Sequence, residues 1–150
     1  MSDNALRMTI GASIALNGII EKILYVGNEE RNLPFSTKYK LRRNKNLVEK
    51  DFIFFEEKRE NLIKQYGEKD EENGMIKVTE ENMKVFSEEL QKIRQMEVSH
   101  EFLKFRPEEV EDITVPDFSL DEISLFMLAF IDDPSMMEDM KTKIKEDENG

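Results

Sequence analysis

One long stretch of helically spaced apolar residues constrains this chain more than any other feature. Between residues 36 and 66 the apolar side chains recur at steps of three, four or seven, which places them on one face of an α-helix. Ser36 or Thr37 can cap this helix, and Gly67 ends it. About thirty residues span about 45 Å at ~1.5 Å per residue, so other helices must pack along it. The stripe consists of Leu41, Val48, Phe52, Phe55, Leu62 and Tyr66.

Shorter segments on both sides extend the helical pattern. Two segments, 75–78 and 98–105, instead alternate apolar and polar residues, and we predict that they pair with each other. The predicted fold class is therefore mainly α, with four to five helices, the long one at 36–66, and a small two-stranded β-hairpin. The other predicted helices cover residues 8–25, 80–96, 119–131 and 134–145.

Composition sets limits on the class of protein. With 150 residues, 39% hydrophobic and 37% charged, the chain supports one modest core with extensive solvated helix faces. We expect a single helical domain at 1–145 and a disordered tail at 146–150. Cysteine is absent, which excludes disulfides, thiolate metal sites and cysteine nucleophiles. No apolar run approaches the ~18 residues of a membrane span, and the N-terminus lacks the basic start of a signal peptide. We therefore expect a cytoplasmic protein.

Charge is divided unevenly along the chain. Residues 1–66 contain 12 Lys and Arg against 9 Asp and Glu, whereas residues 67–150 contain 10 against 24, which gives the net charge of −11. The negative excess disfavours general nucleic-acid binding. The first half nevertheless has a basic run at helical spacing on the predicted long helix. This basic run consists of Lys38, Lys40, Arg42, Arg43 and Lys45.

Three interpretations of the basic run stay open. The favoured one is a solvated helix face that pairs with the protein's own acidic half. The second is contact with an acidic protein. The third is contact with a phosphate backbone, because cations at helical spacing neutralise phosphates and release counterions. Each interpretation predicts a different partner for the same side chains.

An acidic cluster in the second half is another candidate for partner binding. It consists of Glu108, Glu109, Glu111 and Asp112. A polyanionic face of this kind imitates the phosphates of DNA and occupies a basic cleft, with electrostatically steered association. The competing interpretation is the ordinary acidic surface of a soluble protein.

Methionines near the C-terminus form the third candidate. Met136, Met137 and Met140 fall in the predicted helix at 134–145. Flexible methionine side chains suit adaptable interfaces, but they also fill cores. The sequence leaves both interpretations open for these three residues.

No constellation of reactive residues emerges. His100 is the only histidine, and without a second histidine or a cysteine it makes a poor zinc ligand. None of the 33 Asp and Glu residues forms a pair in an apolar setting that would raise a carboxyl pKa for acid catalysis. Gly11 and Gly18 lack the spacing of a phosphate loop. We predict a protein that is not an enzyme and needs no cofactor or metal.

Several short pieces of the chain follow one another in a fixed order over roughly residues 10–131. They are Ala15-Leu16-Asn17, Leu33-Pro34, Phe55 to Ile63, Tyr66-Gly67, Phe86, Leu90, Glu97-Val98 and Phe118 to Phe126. Together these pieces resemble an uncharacterised family of small helical proteins from tailed phages and prophages of Gram-positive bacteria, which is a domain of unknown function.

The resemblance implies a phage gene product in a bacterial host cytoplasm and supplies no catalytic residues. The predicted function is an accessory protein that binds another phage or host protein through helical faces, during virion assembly or host takeover. A second copy of the chain is a further candidate partner. The alternative is an acidic, nucleic-acid-mimicking inhibitor of a host nuclease, restriction or other anti-phage defence system.

Overall fold

The computed structural model describes residues 5–113 and 118–131, and within them five helices dominate. The mainly α fold with one long helix is thereby confirmed. The predicted helix at 134–145 and the predicted tail at 146–150 lie outside the described residues. The helices are α1 (Ile10–Leu24), α2 (Phe35–Tyr66), α3 (Glu80–Arg94), α4 (Pro107–Asp112) and α5 (Leu120–Phe130).

Six short strands form three separate antiparallel pairs in the described part of the chain. They are β1 (Leu6–Thr9), β2 (Tyr25–Val26), β3 (Glu29–Glu30), β4 (Gly67–Lys69), β5 (Ile76–Val78) and β6 (Glu97–His100). The order is β1 with β6, β2 with β3, and β4 with β5.

The predicted pairing of 75–78 with 98–105 is wrong, because each segment finds another partner. Gly74, at φ +73°, lets the chain turn directly from β4 into β5, so β5 is satisfied locally. β6 follows α3 and lies beside β1, where the Ile10 amide donates to the Met96 carbonyl at 2.9 Å. Gly27, at φ +62°, likewise lies in the turn between β2 and β3, whereas α1 ends earlier, at Leu24.

The core surrounds α1. Its side chains Leu16, Ile20 and Ile23 are fully buried against the first half of α2, the segment 102–113 and α5. Four phenylalanines close the other side, with ring centroids 5.0–5.8 Å apart, a spacing typical of favourable aromatic pairs. They are Phe102, Phe105, Phe126 and Phe130. None of the described helices combines the length and apolar character that crossing a bilayer requires.

α2 continues past this core and forms an extension with α3. We define the arm as residues 52–96, which comprise the second half of α2, the β4–β5 hairpin and α3. α3 packs mainly on α2, with smaller contacts to α1 and β5. α2 packs against both α1 and α3. The molecule therefore has a compact core and an arm only two helices thick.

Gly67 ends α2 at the predicted position, but the reason is crowding. Its φ of −97° suits any residue. A Cβ at this position would lie 2.4 Å from the Ile63 carbonyl oxygen and 2.6 Å from Cγ2 of Ile76. Glycine is therefore needed where β5 crosses the end of α2.

Candidate protein-binding surface

The basic run on α2 is largely paired within the chain. Glu30 accepts a hydrogen bond from Arg42 and lies 3.3 Å from Nζ of Lys38. These two cations lower the pKa of the Glu30 carboxyl, with Arg42 contributing more. Lys45 Nζ lies 3.6 Å from Glu21 and 3.4 Å from Glu49. Most of these partners come from the first half of the chain, and among the described residues only Lys40 pairs with the acidic second half.

Glu109, one of the predicted acidic candidates, forms the most extensive polar network. Its side chain is only 4% exposed and accepts hydrogen bonds from Ser36 Oγ, from Lys40 Nζ at 2.6 Å and from the Arg106 backbone amide at 2.8 Å. Burial raises the pKa of this carboxyl, but the donors outweigh it and lower the pKa to about 2. The hydrogen bonds of Glu109 therefore connect α4 to the start of α2.

The remaining acidic candidates face outward. Glu108, Glu111 and Asp112 are exposed on α4. Since Glu109 points inward, α4 presents three carboxylates where the sequence offered four.

Arg43 lines a shallow groove on α2. The groove has a volume of about 610 Å³ and lies between the outward side of α2 and the segment 101–103. Leu47, Ile53 and Leu103 supply apolar surface, while Lys50, Glu49 and Glu101 supply both signs of charge. This mixture indicates no single class of ligand.

A cluster of Ser13, Asp51 and His100 joins α1, α2 and β6. Oδ2 of Asp51 accepts from Ser13 Oγ at 2.7 Å and lies 2.6 Å from Nε2 of His100. An activated serine needs the imidazole between serine and carboxylate, whereas here both groups meet the same carboxylate oxygen. The cluster therefore connects three elements and does not form the relay of a hydrolase. Among the described residues, no group of three His, Asp or Glu is placed to hold a metal ion.

Asn44 makes a second polar connection. It is fully buried on α2, where its Nδ2 donates to the Leu103 carbonyl at 3.0 Å and its Oδ1 accepts from the Leu103 amide at 2.8 Å. The Asn44 side chain thus makes the two backbone hydrogen bonds that a neighbouring strand would otherwise make with the segment after β6. It holds that segment on α2, at the edge of the groove.

α3 is amphipathic, and part of its apolar surface stays exposed. Its residues Met83, Phe86, Leu90 and Ile93, which we name the α3 stripe, recur at three- and four-residue steps. Thr79 caps the helix by accepting from the Asn82 amide at 3.3 Å, and Glu80 and Glu81 complement the helix dipole. Phe86, Leu90 and Ile93 are half-buried on this helix, which packs mainly on α2. Met83, at the start of the stripe, is 45% exposed, and Val85 beside it is 41% exposed.

The candidate methionines Met136, Met137 and Met140 lie outside the described residues. The exposed apolar surface of the arm was not predicted as a site, because residue spacing alone does not show how much of a helix face is covered.

Asn44 and Asp51 are two polar residues that the sequence analysis missed. Both lie at positions where the spacing of the α2 stripe calls for an apolar residue. A polar residue at such a position is the signal that could have identified them.

Comparison with known proteins adds no relative. No family model, no curated protein and no solved structure matches the chain.

Proposed function

We propose that this chain is a non-enzymatic accessory protein that binds another protein through the arm. The observation that carries the proposal is the group of apolar side chains left exposed on the arm, which includes Met83, Val85 and Met96. Each half-exposed apolar side chain that becomes buried contributes about 1 kcal/mol. A contact that covers several of these side chains therefore supplies several kcal/mol without any rearrangement of the core.

Other exposed apolar residues of the arm add to this surface. They lie on the second half of α2, on the β4–β5 hairpin and in the chain just after α3. A large exposed apolar area on a folded domain usually marks an interaction site. The exposed apolar residues of the arm are Phe52, Ile53, Met75, Ile76, Met83, Val85 and Met96.

The biological setting follows from the resemblance to small phage and prophage proteins. That resemblance supports a phage gene product that acts in the cytoplasm of a bacterial host. The partner is then a phage or host protein, engaged during virion assembly or host takeover. The paired state of most of the basic run favours protein over nucleic acid as the partner, since few of these cations remain for phosphates.

Affinity capture from infected cells tests the proposal. The tagged wild type should recover a protein that Met83→Lys loses, because the lysine places a charge in the apolar contact. Leu128→Lys is the matched control, since Leu128 is 58% exposed on α5, outside the arm. Binding should be reproduced with the purified partner. Equal recovery by all three proteins would place the contact elsewhere.

The same capture experiment separates the acidic-inhibitor alternative. An inhibitor should recover a nuclease or other defence protein and should keep it in Met83→Lys. It should lose that protein when the exposed α4 carboxylates are neutralised in Glu108→Gln with Asp112→Asn. That result would mean that the partner contacts α4 and not the arm.

A further inference from the structure

The first half of α2 has a continuous exposed face that points away from the core. Its members recur at steps of three and four residues, so they lie on one side of the helix. The residues that α2 buries in the same half lie on the opposite side. We name the exposed side the outer face, and it consists of Phe35, Tyr39, Arg42, Arg43, Asn46 and Lys50.

Two aromatic rings lie uncovered at the start of the outer face. Phe35 is 83% exposed and Tyr39 is 49% exposed. Their rings stack on each other with centroids 6.1 Å apart, so they form one apolar platform. Ile53, which is 52% exposed, continues the same row of the helix within the arm.

The cations of the outer face are only partly committed within the chain. Arg42 donates to Glu30, whereas Arg43 and Lys50 form no ion pair in the part of the chain that the structure describes. Glu49 is the one acidic residue in the sequence between residues 35 and 50, and it pairs with Lys45 at 3.4 Å. The outer face therefore offers positive charge beside apolar surface.

The shape of the outer face suits an elongated partner. From Phe35 to Lys50 it is about 23 Å long at ~1.5 Å per residue, which is the length of a partner helix of about 15 residues. Its three- and four-residue steps are the spacing with which two helices interlock. A groove runs along one side, between Arg43 and Lys50 on α2 and Leu103 on the opposite wall.

We infer that the outer face binds an acidic amphipathic helix of another protein, which lies along α2. Apolar side chains of that helix pack on the platform of Phe35 and Tyr39. Its carboxylates pair with Arg43 and Lys50, because covering these two cations without a counterpart would leave unpaired charge in the contact.

A protein partner is favoured over nucleic acid by the charges of the chain. A net charge of −11 repels a polyanion, and two uncommitted cations neutralise few phosphates. An amphipathic helix has fewer charges and adds apolar contact. The inference goes beyond the proposed function, since the outer face is a second surface and does not depend on Met83.

Site-specific crosslinking identifies the partner. A photo-reactive residue in place of Asn46 should crosslink, in infected cells, to a protein segment with net negative charge and apolar residues at three- and four-residue steps. Ser124, which is exposed on α5, is the control position. Crosslinks to nucleic acid, to lipid, to a segment of this chain or to a segment without acidic excess would overturn the inference, as would no crosslink above the control.

A peptide of the crosslinked segment then measures the charge pairing. In fluorescence anisotropy with the full chain at low salt, Arg43→Glu with Lys50→Glu should weaken binding at least about tenfold, because attraction becomes repulsion. Lys69→Glu with Lys77→Glu is the matched control, since it makes the same change in net charge on exposed lysines of the β4–β5 hairpin. Equal binding by the two variants would contradict the assigned surface.

A charge-reversed peptide gives the sharpest outcome. When lysine replaces its acidic residues, the peptide should bind the Arg43→Glu, Lys50→Glu variant more tightly than the hairpin control, although the two proteins have the same net charge. A folding defect does not produce this preference. Equal binding to both proteins would show that the charges of the outer face do not select the partner.

Phe35→Ser with Tyr39→Ser tests the apolar platform. The variant should bind the original peptide about tenfold more weakly. Both rings are exposed, so its unfolding in urea should match that of the wild type. Unchanged binding would remove the platform from the contact and overturn the inference.

Met83→Lys separates the outer face from the arm. It should bind the peptide as the wild type does. If it loses the peptide while the outer-face variants keep it, the inference fails and the proposed function stands. If Met83→Lys changes neither peptide binding nor the captured proteins while the outer-face variants lose the peptide, the proposed function fails and the inference stands.

Discussion

At the scale of single residues, two buried polar side chains maintain the junctions of the core. Glu109 joins α4 to α2, and Asn44 joins the segment after β6 to α2. Both are costly to bury and retain their position only because every strong partner is satisfied. Replacing either side chain removes several hydrogen bonds at once, which makes the loss larger than one average hydrogen bond.

Glu109→Gln should lower the free energy of unfolding at pH 7 by roughly 2–3 kcal/mol, since it removes a buried charge pair and leaves Lys40 unmatched. Urea denaturation measures this difference. Glu108→Gln is the control, because Glu108 is exposed, and its effect should stay within about 0.5 kcal/mol. Equal losses in the two variants would contradict the assigned role.

The same carboxyl should produce a pH dependence. Its pKa is lowered from 4.5 to about 2 in the folded state, so its stabilisation is complete above the unfolded value. It is lost as the pH falls through the interval from about 4.5 to 2. The difference in unfolding free energy between wild type and Glu109→Gln should therefore shrink across this interval. A difference that is constant from pH 7 to pH 2 would refute the pKa assignment.

Asn44→Leu should cost about 1–3 kcal/mol in the free energy of unfolding, because it removes both hydrogen bonds to the Leu103 backbone. Thermal and urea unfolding report the change. Asn46→Leu on the outward side of the same helix supplies the comparison, and we expect it to be nearly neutral. If both substitutions are neutral, the Asn44 contact contributes little to stability.

At the scale of elements, the arm depends on the close approach at Gly67. Gly67→Ala forces a Cβ against the Ile63 carbonyl oxygen, so the β4–β5 hairpin must move away from the end of α2. We expect a loss of about 2–3 kcal/mol. Gly18→Ala should instead stabilise the protein by about 0.5–1 kcal/mol, because Gly18 lies inside α1 with open space around it. Opposite signs in chemical denaturation would confirm both assignments.

The helix boundaries could be predicted to within a few residues, because the apolar spacing and the capping residues that define a helix lie within or next to it in the sequence. The C-terminal end of α2 follows from Gly67, and the N-terminal start of α5 follows from the reciprocal hydrogen bonds of Ser119 and Glu122. Strand partners were not predictable, since β5 and β6 have short, similar patterns and only the turn at Gly74 decides between them. The basic run was visible in the sequence, but its pairing with Glu30 depends on where the β2–β3 turn places that carboxylate.

At the scale of the whole molecule, the core and the arm should open separately. α1 is surrounded by packed side chains, whereas α3 contacts mainly one neighbour. Hydrogen exchange of the dilute protein should therefore show lower protection free energies for α3 than for α1, by several kcal/mol. Equal protection would mean that the two parts unfold as one unit.

The uninterrupted course of α2 has a mechanical consequence. A single rod of 32 residues connects the Glu109 junction at one end with the crowded turn at Gly67 at the other. At ~1.5 Å per residue it is about 48 Å long, so a tilt of about 5° at its base displaces its tip by roughly 4 Å. A small tilt of the helix near the Glu109 junction therefore produces a larger displacement of the β4–β5 hairpin at its other end.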